Sequence, residues 1–133
     1  MIKSLGLLAI RLCVGIFLTH HGFDKLHDIE GFAKTYVIPM HLPFPIFLSY
    51  VAAFSEIVGS YLLIPGLLTR FGALAITGTI SVALYHAISN VGLNLYALEL
   101  LGLYWGGAVA VLCNGPGKLS LDYLILKKLN RVT

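Results

Sequence analysis

Charge is what this sequence has least of. Asp, Glu, Lys and Arg make up 11% of its 133 residues, against about a quarter in soluble domains. Apolar types reach 58%, and the mean hydropathy is +0.88. A soluble fold of this length hides only about two thirds of its unfolded surface, so water cannot solvate what would be left outside. That excludes an ordinary soluble enzyme, a disordered tail and a nucleic-acid binder. The net charge of +3 matters instead through where the basic residues sit along the chain. Cysteine is scarce as well: Cys13 and Cys113 lie within or at the end of apolar runs. There is no Cys-x-x-Cys, so dithiol chemistry has no carrier, and both thiols read as buried and structural. Flavin and nicotinamide fingerprints and an iron–sulfur cysteine set are missing too. An integral membrane protein is the class that remains.

Four apolar runs are long enough to cross about 30 Å of hydrocarbon as helix. They cover residues 4–23, interrupted by Arg11; 44–64, containing Glu56; 71–89, containing His86; and 93–113, containing Glu99. Lipid cannot hydrogen-bond the backbone, and the runs neither alternate nor stay as short as barrel strands. The expected fold is all-α, a single-domain integral membrane four-helix bundle over residues 1–133. The first run is expected to remain as a span, because Arg11 splits its centre and no small-x-small cleavage site follows. In this topology Lys3, Arg70, Lys118, Lys127, Lys128 and Arg131 share one side, and Lys25 and Lys34 the other. The bias places both termini in the cytoplasm.

The connections carry their own signals. Pro65-Gly66 should stop the second helix, Thr69 can cap the third, and Asn90 to Asn94 reads as a tight hairpin. Between the first two spans, Ile29, Phe32, Ala33, Tyr36 and Val37 fall on one helical face. This predicts a short interfacial helix ended by Pro39, either a lid over the bundle or a filler among the headgroups. After Gly115-Pro-Gly117, Ser120 can cap a last helix and Asp122 complement its dipole. Its apolar stripe of Leu121, Leu124, Ile125 and Leu129 beside Lys127 and Lys128 suits a cytoplasmic amphipathic helix lying on anionic lipid.

Ionisable groups inside a bilayer cost about 2.5–3.5 kcal/mol each on insertion scales and so face partners. Arg11 and Glu56 are each about two turns from the cytoplasmic ends of their helices, which predicts a buried Arg11–Glu56 pair, structural or functional. The 3.6 period puts Arg11, Gly15, Leu18, Gly22 and Lys25 on one inward stripe, with His21 beside Lys25. Glu99 should lie at the depth of His20, His21 and His86, where a carboxylate with imidazoles could carry protons or bind a polar head group. Haem or copper ligation by these histidines lacks any spacing motif. An internal echo and a small-residue stripe complete the reading. Glu56-x-x-Gly59-x-Tyr61 matches Glu99-x-x-Gly102-x-Tyr104 and would turn two similar faces to one pocket; chance resemblance is the alternative. Gly102-x-x-x-Gly106, followed by Ala110, reads as a small-residue stripe for packing within the bundle by default, or against another protomer.

Taken together, Arg11-Leu-x-x-Gly15, His21-Gly22-x-x-Lys25-Leu26, Glu56-x-x-Gly59, Gly66-x-x-Thr69-Arg70, Glu99 and Gly115-Pro-Gly117-x-x-Ser120-Leu-Asp122 resemble the DoxX family of small four-span bacterial membrane proteins. The resemblance implies the bacterial inner (cytoplasmic) membrane. It also implies a subunit or accessory of a quinone-linked membrane redox system, not catalytic alone, working with a redox partner protein. A quinone is the cofactor it implies; neither haem nor a metal is expected. The polar network of Arg11, His21, Lys25, Glu56, His86 and Glu99 would bind a lipid-soluble molecule. Alternatives are a small proton-coupled transporter using an intramembrane Glu, which would need to form a homo-oligomer, and a membrane scaffold or assembly factor.

Overall fold

The computed structural model describes residues 1–90 and 94–130. Six helices account for most of them. α1 (Ile2–His27) leads into a connecting segment that starts as α2 (Ile29–Phe32), widens into a π-helical turn (Ala33–Val37) and tightens into a 3-10 turn (Ile38–Met40). α3 (Pro45–Leu63), α4 (Thr69–Asn90), α5 (Leu95–Asn114) and α6 (Leu121–Leu129) follow. Among the described residues there is no strand. α1, α3, α4 and α5 are each long and apolar enough to cross a membrane, and each lies within a few residues of an expected run. α1 differs most. Its 26 residues rise about 39 Å at 1.5 Å each, more than the roughly 30 Å of hydrocarbon, so the helix tilts or its ends leave the apolar layer. The hairpin expected at Asn90 to Asn94 falls partly on residues 91–93, outside the described residues, as does Arg131. Asn94 caps α5, its Oδ1 accepting from the Ala97 amide at 3.4 Å.

The four long helices form a ring in the order α1, α3, α4, α5, closed by α5 against α1. At its centre lie Val14 and Leu18 of α1, Leu63 of α3, Ala73, Ile76 and Ile80 of α4, and Ala108 and Val111 of α5. Between apolar helices in lipid, close backbone approach replaces the hydrophobic effect as the source of packing energy. Gly15 and Gly22 provide it between α1 and α3. A Cβ on Gly15 would lie 3.1 Å from the Ser60 carbonyl oxygen, and one on Gly22 3.1 Å from that of Ala53. Gly59 and Gly72 do the same between α3 and α4, where a Cβ on Gly59 would lie 2.8 Å from Ile76 Cγ1 and 3.0 Å from the Gly72 oxygen. The Gly102 and Gly106 stripe does not pack inside the bundle as expected, since a Cβ on either would have no neighbour within 4 Å. Gly107 is the close-approach residue on α5, against Val14. Cys13 and Cys113, expected to be buried, are both exposed on the outer surface of the ring.

One end of the bundle is knotted by Arg11 and Asp122. Arg11 is 1% exposed. Its Nε donates to the Leu63 carbonyl at 3.1 Å and its Nη2 to that of Leu119 at 2.8 Å, and its Nη1 donates to that of Pro116. The first of these lies at the C-terminus of α3 and also accepts from the Gly66 amide at 3.1 Å, so Arg11 adds a second donor to it. Gly66 makes room for the guanidinium: its φ is +72, and a Cβ there would meet Arg11 Nη1 at 2.8 Å and Ser120 Cβ at 2.6 Å. Ser120 caps α6, accepting from the Tyr123 amide at 3.2 Å. Thr69, however, does not cap α4 itself. Its amide (2.9 Å) and hydroxyl (2.7 Å) both donate to Asp122 Oδ2, while the Leu68 amide donates to Oδ1 at 2.8 Å. A carboxylate from α6 therefore caps α4 and fixes Leu68 at its positive φ of 45, a conformation that costs about 1–3 kcal/mol when unsupported.

Two expectations follow for the purified protein in mild detergent. Gly59→Val should lower the unfolding temperature, since overpacking a tight contact costs about 1–3 kcal/mol, while Gly102→Val should leave it nearly unchanged. Asp122 gives a pH signature. Burial alone would push its carboxyl up, but the Thr69 amide and hydroxyl, the Leu68 amide and the Arg11 charge outweigh this and hold it below the usual carboxylate range. The unfolded chain, titrating near 3.9, then takes up its proton first as pH falls. The stabilisation is complete above about pH 5 and disappears as pH drops through the lower folded value. Asp122→Asn should melt earlier than the native protein at pH 7, and the gap should narrow below about pH 4.

Candidate functional site

At the other end of the ring the buried charge is negative. Glu56 is 1% exposed and lies on the same face of α3 as Ser49, Ala53, Gly59, Ser60 and Leu63. Lys25, at the end of the inward stripe of α1, donates its ammonium to Glu56 Oε1. The same ammonium lies 5.3 Å from the ring centre of Phe32 on α2, a cation–π distance. One cation thus joins α1, α3 and the connecting segment. Among the described residues no group donates to the other carboxylate oxygen, Glu56 Oε2, although it is buried.

Aromatic rings stand around this pair. His21 meets Tyr104 of α5 edge-on with centroids 5.8 Å apart. His86 of α4 is buried, and Tyr36 of the π-helical turn covers it edge-on at 5.3 Å. Glu56, Lys25, His21, His86, Tyr36 and Tyr104 all line one cavity of about 990 Å³, at the upper end of the usual 300–1,000 Å³ for small-molecule sites. Its remaining wall is largely apolar. Val51 of α3 and Leu74 and Val82 of α4 belong to that wall and are exposed on the outer surface of the ring. The cavity therefore opens sideways between α3 and α4, toward the surface that hydrocarbon would cover. Phe32, Tyr36, Val37 and Met40 close it on the connecting-segment side, with Ala33 and Val37 buried beneath that segment.

Of the six residues singled out in the sequence, the structure brings His21, Lys25, Glu56 and His86 to this cavity, and Arg11 and Glu99 not. The expected Arg11–Glu56 pair does not form. Arg11 is level with Leu63, and the seven residues from Leu63 back to Glu56 span about 10 Å. Glu56 is level with Gly22, whose Cβ position lies 3.2 Å from the Ile57 nitrogen, so Lys25, one turn further on, reaches back to it. Glu99 is exposed. The repeated Glu-x-x-Gly-x-Tyr is not a duplicated face: Glu56 is buried and Tyr61 exposed, whereas Glu99 is exposed and Tyr104 lines the cavity. His20 is exposed too, 3.2 Å from Asp24. Phe32 and Tyr36 were legible only as members of a periodic apolar face, which does not say where that face lands. Among the described residues no group of three or more His, Cys, Asp or Glu is placed to hold a metal ion.

A ring of four apolar helices with a laterally open, largely apolar cavity defines a small multi-pass membrane protein. The sequence model of the DoxX family matches residues 6–88, from α1 through most of α4, and the chain belongs to that family. It is 36% identical to an uncharacterized protein of Haemophilus influenzae over 94% of this chain and 86% of the relative. It is 29% identical to a Bacillus subtilis protein named "Putative oxidoreductase CatD" over 92% of this chain and 73% of the relative. No solved structure matches. Lys25, Glu56 and His86 lie inside the family match, while Glu99 and the Gly115 to Asp122 stretch lie beyond it.

The pairing of Lys25 with Glu56 is checked by a double-mutant cycle. Lys25→Met leaves a buried carboxylate without its counter-charge and should cost about 3–5 kcal/mol of stability. Lys25→Met/Glu56→Met, which removes both charges, should recover most of that loss. Additive single effects in denaturant unfolding would show that the two side chains do not hold each other.

Proposed function

We propose that this protein is an accessory subunit of a membrane redox system that holds a lipid-soluble, quinone-type carrier in the cavity beside Glu56, with a partner protein performing the electron transfer. The observation that carries this reading is the cavity itself. It is apolar, open sideways toward lipid and furnished at one place with a buried carboxylate that has a free oxygen. A molecule dissolved in the bilayer would reach such a site without crossing water. The name of the Bacillus subtilis relative supports the redox part. Electron transfer is assigned to the partner because the sequence has no dithiol, iron–sulfur, flavin or nicotinamide motif.

A quinone, when bound, supplies reversible two-electron, two-proton chemistry. The chain's part is to bind and orient it. Glu56, held by Lys25, offers a fixed hydrogen-bonding oxygen, and the rings of His21, Tyr104, His86 and Tyr36 give flat surfaces against which a ring can lie. The host membrane is the bacterial inner membrane with both termini in the cytoplasm, supported by the six basic residues on that side against two on the other. The knot of Arg11 and Asp122 is then cytoplasmic, and α6 rests Lys127 and Lys128 on anionic lipid.

A proton-coupled carrier working through Glu56 is the second reading, favoured by the same free carboxylate oxygen. Glu99, on the outer surface, drops out of it. The two are separated by purifying the protein in mild detergent, identifying bound molecules and proteins by mass spectrometry, and assaying proton uptake in vesicles. The subunit reading expects a quinone-class molecule and a redox protein to co-purify, with no proton flux. Flux abolished by Glu56→Gln in a folded protein, with no such molecule bound, would replace it with the carrier.

A further inference from the structure

The polar wall of the cavity is unequal in what it can exchange with a ligand. Hydroxyls of Tyr36 and Tyr104 can donate or accept, and neutral imidazoles can do either. Glu56 is different. With Lys25 donating its ammonium to Oε1, the pair is an ion pair, and the remaining oxygen is an acceptor only. Oε2 belongs to a side chain 1% exposed, and among the described residues no group donates to it. An acceptor left in that state costs free energy that a ligand donor would recover, and hydrogen bonds to a charged acceptor are the stronger kind. Oε2 is itself buried, so a ligand donor reaches it as the Glu56 carboxylate turns toward the cavity that its side chain lines.

We infer that the cavity selects neutral ring compounds carrying a hydroxyl donor, of the phenol or hydroquinone type, over the same ring compounds without one, because only a donor satisfies Glu56 Oε2. This rests on the reading of the cavity as the carrier's site and adds which form of the carrier it holds: the reduced, hydroxyl-bearing form is bound tightly and the oxidised, carbonyl form weakly. An anionic ligand is disfavoured, since Asp24 and Asp28 also line the cavity and leave its fixed charges negative in sum. The apolar wall takes a hydrocarbon tail of the ring.

The test uses probes that differ by one proton donor. 4-Pentylphenol and its methyl ether, 4-pentylanisole, have nearly the same shape and tail, and neither is redox-active under the conditions of binding. Their Kd values are measured by thermal-shift titration of the full chain in lipid nanodiscs, corrected for partition into empty nanodiscs. The phenol should bind about tenfold tighter or more, the size of a hydrogen bond to a charged acceptor. The preference should vanish in Lys25→Met/Glu56→Met, a variant that leaves no buried charge unpaired. Equal affinities in the native protein, or binding of neither probe, overturn the inference without any variant having to fold. A preference that persists in the double variant overturns it as well, by placing the acceptor elsewhere. A short-chain hydroquinone and its quinone are run in parallel. The hydroquinone should bind tighter than its quinone, and the reverse order overturns the inference. Phenol and hydroquinone selectivity with no quinone-class molecule or redox protein co-purifying upholds the donor rule and sinks the redox-carrier reading instead.

Discussion

A charge placed in hydrocarbon must meet its counter-charge or a full set of hydrogen bonds within reach of its own side chain, because nothing around it will solvate it. Nearly every specific feature of this bundle answers to that requirement. The fold meets it twice by different means. Arg11 is satisfied by backbone oxygens from three places in the chain, which suits a planar fork of donors. Glu56 is satisfied by a flexible lysine, and only on one side. The first arrangement is complete and closes one end of the ring. The second is incomplete, and the incompleteness falls where the helices separate to form a cavity.

Much of this was legible in the sequence, and the limit of legibility has a physical cause. Apolar runs bounded by Pro, Gly and Asn located the four long helices, and the 3.6 period correctly put Arg11, Gly15, Leu18 and Gly22 on the buried side of α1. These are properties of single helices. What one helix does to another depends on the axial offset between them, which no periodicity encodes. The Arg11–Glu56 expectation failed there: counting from assumed helix ends placed Glu56 about two turns from where the glycine contacts put it. The capping of α4 by Asp122 was hidden for a related reason, since the partners are 53 and 54 residues apart. Glu99 was misplaced because α5 is apolar on all sides, so its pattern does not reveal which face is inward.

The connecting segment shows how a local signal acquires meaning from its surroundings. Its periodic face of Ile29, Phe32, Ala33, Tyr36 and Val37 was equally compatible with covering the bundle and with lying among headgroups. The structure sets Ala33 and Val37 into the bundle and leaves Phe32 and Tyr36 at the rim, one beneath the Lys25 ammonium and the other over His86. The segment is therefore tied to the same two side chains that furnish the cavity. Its winding changes from α to π to 3-10 along a stretch too short for a regular helix to be stable alone.

The Arg11 contacts also set an order of events at the ribosome. Their acceptors lie 52, 105 and 108 residues further along, so the guanidinium enters the translocon long before any of them has been made. At about 5–20 residues per second, the wait for the last is roughly 5–20 seconds. During that interval the first helix carries an unsatisfied cation and must be sheltered by the insertion machinery, by water or by snorkelling to the headgroups. A chain truncated after α5 would insert its four spans and still never lock, because two of the three oxygens that hold the first helix, those of Pro116 and Leu119, lie beyond α5.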